Sequence, residues 1–306
     1  MADNPTPEAL ASGLVDLLTL TRNGEYRFTG GVQPGGVGRV FGGQVVAQAL
    51  QAAQATAPAG MQAHSLHAYF LRGGREGLPI DYTVEGDFDG RSFANRRVIA
   101  TQEGIAMLNF TASFQRPEEG LEHVAAQMPD VPAPEDLESD ADARRRYLAE
   151  MDDVPDAQRA FILRPRPIEI RSPGPMHWMN SEKRPPHAHI WFRVVAPVPD
   201  DPRLHRALIT YASDYSLLGT AALPHGLSFM RGELKGASLD HAVWFHRPAR
   251  ADEWLLYATD SPWAGSGRGF NRGRIFDRRG RLIASVAQEG MLRTVRNAEE
   301  GRTAEG

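Results

Sequence analysis

Three polar residues stand in otherwise apolar stretches of the second half of the chain. Asp214 lies in ITYASDYSLLG, Ser238 heads the aromatic run SLDHAVWFHR, and Gln288 follows Val286 and Ala287 in LIASVAQEGMLR. A carboxylate, a hydroxyl and an amide can together hold one water. The carboxylate accepts its proton while the other two orient it, which is general-base hydrolysis without a covalent intermediate. Taken singly, each residue has a plainer reading as a core polar group with its hydrogen bonds satisfied. Asp214 in particular reads as an acid near the start of a helix, held by free N–H groups and the helix dipole.

Other chemistries lack their residues. No serine sits in G-x-S-x-G, so a nucleophile elbow is not indicated. Ser238, Asp240 and His241 resemble a triad in composition, but they fall within four residues of one strand. Strict alternation would turn Ser238 and Asp240 to one face and His241 to the other. No G-x-G-x-x-G follows a strand, and neither lysine, Lys183 or Lys235, sits in a phosphate-binding loop. The glycines of Gly35–Gly38 fail that spacing and read as a turn before a helix. His187 and His189 form H-x-H without a third ligand at metal spacing, so they read as structural. The chain has no cysteine, which removes disulfides, thiolate metal sites and a cysteine nucleophile together.

The elements that must position the three residues follow from periodicity. Tyr211, Tyr215, Leu218 and Ala222 recur at i, i+4, i+7 and i+11, which predicts a helix over 210–223 with Asp214 in its first turn. Strands are expected at 237–247, 254–260, 266–274 and 282–293, with a hairpin turn at Asp277–Gly280. Upstream, strands are expected at 161–170 and 187–195. The first half reads as a short amphipathic helix over 10–20, a strand at 26–29, and a helix opening at Phe41. Four strands follow at 64–74, 80–85, 92–100 and 105–115. In the last, Leu108, Phe110, Ala112 and Phe114 alternate with polar neighbours. Residues 118–160, rich in Glu, Asp, Pro and Ala, read as a solvated acidic connector with one short helix at 143–151. The domain division is therefore 1–117, connector 118–160, 161–296, and a polar tail at 297–306 expected to be disordered.

The two halves repeat each other. FGGQVVAQA answers YASDYSLLG, HAYFLR answers HAVWFHR, SFANRRV answers GFNRGRI, and the strand ending at Gln115 answers the one reaching Gln288. The offsets are 170 (211 − 41), 174 (241 − 67), 177 (269 − 92) and 173 (288 − 115). Four landmarks in one order at nearly one offset indicate an internal duplication. In it Gln44 stands where the second half has Asp214, so only one copy keeps an ionisable group. Each module is one long helix with an antiparallel sheet, an α+β architecture. The aromatic strands are too apolar for a solvated edge, so the two sheets should pair into one.

Composition sets the remaining bounds. With 306 residues, 42% hydrophobic and 24% charged, the chain has the material for one large core or two ordinary ones. A net charge of −4 gives no nucleic-acid surface. No run of 18 apolar residues suggests a membrane span, and MADNPTPEALASG lacks the pattern of a secretory signal. A cytoplasmic location is the expectation.

Set side by side, GRVFGGQVVAQAL, HSLHAYFLRGG, SFANRRV to ASFQRPE, YASDYSLLG, SLDHAVWFHRP and RGFNRGRIFDRRGRLIASVAQEGMLR resemble the acyl-CoA thioesterase II family. They span most of residues 38–293. The resemblance implies a tandem (double) hotdog fold and hydrolysis of acyl-CoA to a free acid and CoA by a water, without metal or other cofactor. Its catalytic set falls on Asp214, Ser238 and Gln288. Many members have Thr where this chain has Ser238; both supply a hydroxyl, but Ser lacks the methyl that fixes χ1. For that reaction the expected oxyanion donor is a helix start, the Gly42–Gly43 region, the expected partners of the CoA phosphates are Arg268 and Arg272 of SGRGFNRGR, and the chain is expected to associate into a homo-oligomer, a dimer or tetramer. Two rival readings remain open. A hotdog enoyl-CoA hydratase pairs an Asp with a His at the helix, and Asp214 is expected to have no adjacent His. A non-catalytic acyl-CoA-binding protein would bind without releasing thiol.

Overall fold

The strand with the clearest alternation, 105–115, shows how the sheet is built. Its apolar residues Leu108, Phe110, Ala112 and Phe114 are all buried. The intervening polar residues stay on the other face, as a half-covered antiparallel strand requires. The structure is a computed structural model that describes residues 4–32, 38–151, 154–176, 178 and 182–295. Gly35 and Gly36 of the glycine cluster and the expected tail at 297–306 lie outside the described residues.

In the first half, α1 (Pro7–Leu18) opens with Pro7 behind the N-cap Thr6, whose hydroxyl accepts from the Ala9 N–H at 3.2 Å. The strands β1 (Thr21–Arg22) and β2 (Arg27–Gly30) lead to α2 (Gly42–Thr56). This helix is buried around almost its whole circumference. Small residues such as Ala49, Ala52 and Ala53 let neighbours approach, and the buried amides find partners. Gln48 donates to the Leu17 carbonyl at 2.6 Å and accepts from the Tyr82 hydroxyl at 2.8 Å. The strands β3 (Gln62–Phe70), β4 (Ile80–Asp89), β5 (Phe93–Gln102) and β6 (Ile105–Gln115) wrap around α2.

The segment expected to be a solvated connector is folded onto the protein. It forms α3 (Asp140–Ala149) and α4 (Asp156–Leu163), the latter running on through 161–163, where a strand is expected. A buried Asp140–Arg144 pair at 3.0 Å ties the two together, because Arg144 also donates to the Ile162 carbonyl at 2.6 Å. Upstream of α3, Met128, Val131 and Leu137 cover Trp191, Leu256 and Phe276, and the Trp191 indole donates to the Pro132 carbonyl at 2.9 Å. The acidic composition of 118–160 hid these few apolar anchors.

The second half continues with β7 (Ile168–Arg171), β8 (His187–Val194), α5 (Pro202–Ser213), β9 (Leu234–Ser238), β10 (Asp240–Phe245), β11 (Leu255–Gly265), β12 (Arg268–Asp277) and β13 (Leu282–Thr294). Among the described residues thirteen strands form one antiparallel sheet. Its order is β1-β2-β4-β5-β6-β3-β10-β13-β12-β11-β8-β7, with β9 paired to β13. The seam between halves is β3 against β10, with Ala68 opposite His241 and Leu66 opposite Val243. This is the tandem hotdog, two sheets joined into one.

Two expectations from the repeat need correction. The helix predicted over 210–223 is two elements. The first, α5, ends at Ser213, and a 3-10 segment runs from Leu218 to His225. Between them Ser216 takes a left-handed φ of 63°, a conformation no continuous helix contains. The apolar spacing survives the break because both pieces are buried. The 3-10 segment covers β8, β11, β12 and β13, while α5 packs on α2. Secondly, Gln288 does not correspond to Gln115. Gln288 lies opposite Asn271 and beside His241. Thr111 lies opposite Arg97 and His67. Asn271 follows Arg97 by 174 residues (271 − 97), the same offset as His241 to His67 (241 − 67). Gln115 sits instead at the far end of β6, opposite Gln62 and Phe93.

Candidate active site

Asp214 is the C-cap of α5, not a residue of a helix's first turn, so Gln44, in the first turn of α2, is not its counterpart. The donors expected from its own helix come from the other half of the chain. The N-terminus of α2 abuts the C-terminus of α5, and the Gly43 N–H points at the Asp214 carboxylate. Two glycines make this approach possible. A Cβ on Gly43 would lie 2.5 Å from the Tyr211 carbonyl oxygen, and one on Gly42 would lie 2.8 Å from Asp214 Oδ2. The junction is locked by Phe41, whose ring meets Tyr211 edge-on at 5.1 Å and Tyr215 at 4.7 Å. From the sheet side Tyr257 donates its hydroxyl to the Ser213 carbonyl at 2.9 Å. Asp214 thus sits at an over-determined helix end.

Ser238 and His241 reach this point through an irregularity in their strand. Ser238 pairs with Gly290, and Ala242 pairs with Ala287. Four steps along one strand therefore match three along the other, and the extra residue falls at Leu239, between β9 and β10. This is a β-bulge, and it reverses the alternation past that point. Ser238 and His241, expected on opposite faces, both come to the inner face. The Ser238 hydroxyl is directed at the Asp214 carboxylate. The His241 ring is fully buried. Asp240 is drawn aside, its Oδ1 accepting from the Glu289 N–H at 2.6 Å.

Gln288 joins the parts. Its Nε2 donates to Asp214 Oδ1 at 2.6 Å and lies 3.0 Å from His241 Nδ1. His241 Nε2 lies 2.8 Å from Ser213 Oγ, and that hydroxyl donates to the Thr210 carbonyl at 2.9 Å. The fold therefore brings together all three residues singled out from the sequence, adds His241 and Ser213, and sets Gly43 against the carboxylate. His241 had a signal: it is the histidine of the H-A-aromatic motif repeated at His67. What hid it was the assumption of unbroken alternation. The same geometry corrects the statement that Asp214 has no histidine nearby, since His241 Nδ1 lies 3.9 Å from Asp214 Oδ1.

The electrostatics follow from burial. Loss of solvent raises the Asp214 carboxyl from its usual value to about 6, against the stabilising bonds from Gln288, Gly43 and Ser238. The same loss pushes His241 down to about 3, so its ring is neutral and its approach to Asp214 is not an ion pair. All donors around Asp214 are neutral. Its carboxylate is consequently poised near neutrality instead of being pinned by a cation.

A cavity of about 360 Å³ opens onto Asp214 and Ser238. Gly42, Val45, Phe70 and Met107 contribute to its wall, and the exposed Arg39 and Arg72 stand on its rim. The two arginines named from the sequence do not line it. Arg268 pairs with Glu289 at 3.4 Å and lies over the Trp263 ring, and Arg272 pairs with Asp260 at 2.7 Å. Both are on β12, whose arginines alternate toward the outer face. Gly43, named as an oxyanion donor, has its N–H engaged with the base.

The chain is similar to known proteins over most of its length. A family profile described as acyl-CoA thioesterase matches residues 165–291, and one described as acyl-CoA thioesterase N-terminal domain matches residues 31–115. The chain is 39% identical over 284 residues to acyl-CoA thioesterase 2 of Haemophilus influenzae, covering 93% of this chain and 98% of the relative. It is 37% identical over 276 residues to human acyl-coenzyme A thioesterase 8, covering 86% and 83%. Among solved structures, an acyl-CoA thioesterase II from Mycobacterium marinum superposes with a TM-score of 0.72 at 37% identity, covering 91% of this chain and 97% of that one.

Proposed function

The chain belongs to the acyl-CoA thioesterase family, and from that membership we propose that it hydrolyses acyl-CoA thioesters with Asp214 as general base. The observation that carries the residue assignment is the state of Asp214. It is a buried carboxylate with neutral donors only, raised to about 6, at the inner end of a cavity. A water held by Ser238 and Gln288 adds its oxygen to the thioester carbonyl carbon and gives its proton to Asp214. The oxyanion is held by the start of α2, where Gly42 lines the cavity and its N–H, in the first turn, has no partner within its helix. Collapse of the tetrahedral adduct breaks the C–S bond, and the departing CoA thiolate recovers the proton from Asp214. Arg39 and Arg72 at the rim face the phosphates of CoA, and the half-chains 1–117 and 161–296 supply one wall each.

The test is release of free thiol from acyl-CoA. Removing a general base typically lowers a rate by about 10²–10⁴, so Asp214→Asn should lose thiol release on that scale while keeping its circular dichroism spectrum. Full activity in Asp214→Asn would sink the assignment. Acyl-CoA binding without thiol release in the unaltered protein would favour the non-catalytic reading. The hydratase reading has the Asp and His it requires, but both His241 nitrogens are occupied, by Gln288 and Ser213, so the ring has no free position for a substrate.

A further inference from the structure

His241 is buried to 0% exposure, yet it lies beside the reacting centre and touches Gln288 directly. Its hydrogen bonds admit one consistent assignment of protons. The Thr210 carbonyl can only accept, so at 2.9 Å it takes the single hydroxyl hydrogen of Ser213. Ser213 Oγ is then the acceptor at 2.8 Å from His241 Nε2, and that nitrogen carries the ring hydrogen. A neutral imidazole has one N–H, so Nδ1 presents a lone pair. The group 3.0 Å from that lone pair must be a donor, which is the Nε2 of Gln288. The second hydrogen of the same nitrogen goes to Asp214 Oδ1 at 2.6 Å. Both amide hydrogens are thereby assigned. Turning the amide over would set Gln288 Oε1 against the Nδ1 lone pair and the Asp214 carboxylate at once, two acceptor–acceptor contacts in a buried site.

We propose that His241 is a positioning residue for the hydrolysis. As an Nε2–H tautomer anchored on Ser213, it dictates which way the Gln288 amide points, and so holds an N–H on Asp214 Oδ1 and leaves Gln288 Oε1 free as an acceptor. Oε1 is buried and has no hydrogen-bond partner within the protein. Asp214 Oδ2, beside Gly42, is then the oxygen that takes the proton. Donation runs in one direction, from the Gln288 amide through His241 and Ser213 to the Thr210 carbonyl of the α5 backbone. The amide then points one way whether or not substrate is bound. This inference rests on the Asp214–Gln288 reading above.

The test is a double-mutant cycle with KM and kcat measured separately. His241→Leu removes the acceptor and should lower kcat about tenfold, the loss expected for one misdirected hydrogen bond, with KM unchanged. His241→Asn returns an amide oxygen near the position of Nδ1 and should recover most of kcat. In a Gln288→Ala background, His241→Leu should add less than about a twofold further loss, because a residue that acts through Gln288 has nothing left to position. Equal losses in both backgrounds would overturn the proposal. A second measurement does not depend on the Leu variant folding. The ¹⁵N shifts of the His241 ring in the unaltered protein, assigned by their disappearance in His241→Asn, should report Nε2–H; Nδ1–H would overturn the proposal. Full activity in Gln288→Ala would instead refute the underlying site assignment, so the two failures are distinct.

Discussion

At Asp214 one physical cause has two measurable effects. Burial disfavours the carboxylate, which makes it a base near neutrality and also makes its ionisation unfavourable for the fold. As pH falls through about 6 the carboxyl becomes protonated and can no longer accept a proton, so kcat/KM should fall along a single-ionisation limb centred there. A limb centred near 4 would show that the site is not desolvated as described. For stability the sign is opposite to that of a salt-bridged acid. The folded value lies above the ordinary value of 3.8, so the folded chain binds the proton more tightly than the unfolded one. Stability should therefore decline as pH rises from 3.8 to about 6 and stay lowered above it. A shift of that size corresponds to about 3 kcal/mol. Asp214→Asn should be more stable than the parent by up to that amount in urea unfolding at about pH 8, with the difference vanishing below about pH 4. A less stable Asn variant at pH 8 would contradict this account.

At the level of elements, the site depends on one end-to-end contact, the start of α2 against the end of α5. Gly43→Ala would place a methyl 2.5 Å from the Tyr211 carbonyl and against the Phe41 ring. The helices must separate, at roughly 1–3 kcal/mol for overpacking, and the Gly43 N–H would leave Asp214. The variant should unfold at lower temperature and lose activity together; an active variant of unchanged thermal midpoint would show that the contact does not position the base. This contact also marks where sequence reading stopped. The duplication, the sheet order at the seam and the three polar residues were legible, because alternation and repeated motifs record burial directly. The break at Ser213 was not. The apolar spacing of Tyr211, Tyr215, Leu218 and Ala222 is satisfied by two buried segments as well as by one helix. The bulge at Leu239 was equally silent, since an inserted residue leaves composition unchanged while reversing every face beyond it. His241 was missed for that reason alone. In the connector, Met128, Val131 and Leu137 were too sparse among charges to announce the surface they cover.

Over the whole molecule the charge is slightly negative, yet the cavity mouth carries Arg39 and Arg72. A local positive rim on an acidic protein draws a polyanionic substrate to one place, and the effect is screened by salt. Arg39→Glu with Arg72→Glu should raise KM for acyl-CoA by about tenfold or more at low ionic strength, the difference shrinking at about 0.5 M salt as the Debye length contracts. The same variant should hydrolyse a short thioester lacking phosphates as the parent does, and an equal loss on both substrates would place the arginines in some other role. The seam between the halves has its own consequence. The two strand runs that meet there each carry a bulge, β3 between Ala63 and Ser65 against β6 and the β9–β10 run at Leu239 against β13, yet the carboxylate Asp214 lies beside the second alone. Two identical protomers from one gene would carry that acid twice or not at all, because every mutation is copied to both. In a tandem chain the halves inherit changes separately. One half could lose its acid while the other kept a base, and the count of catalytic centres became one for each pair of hotdogs.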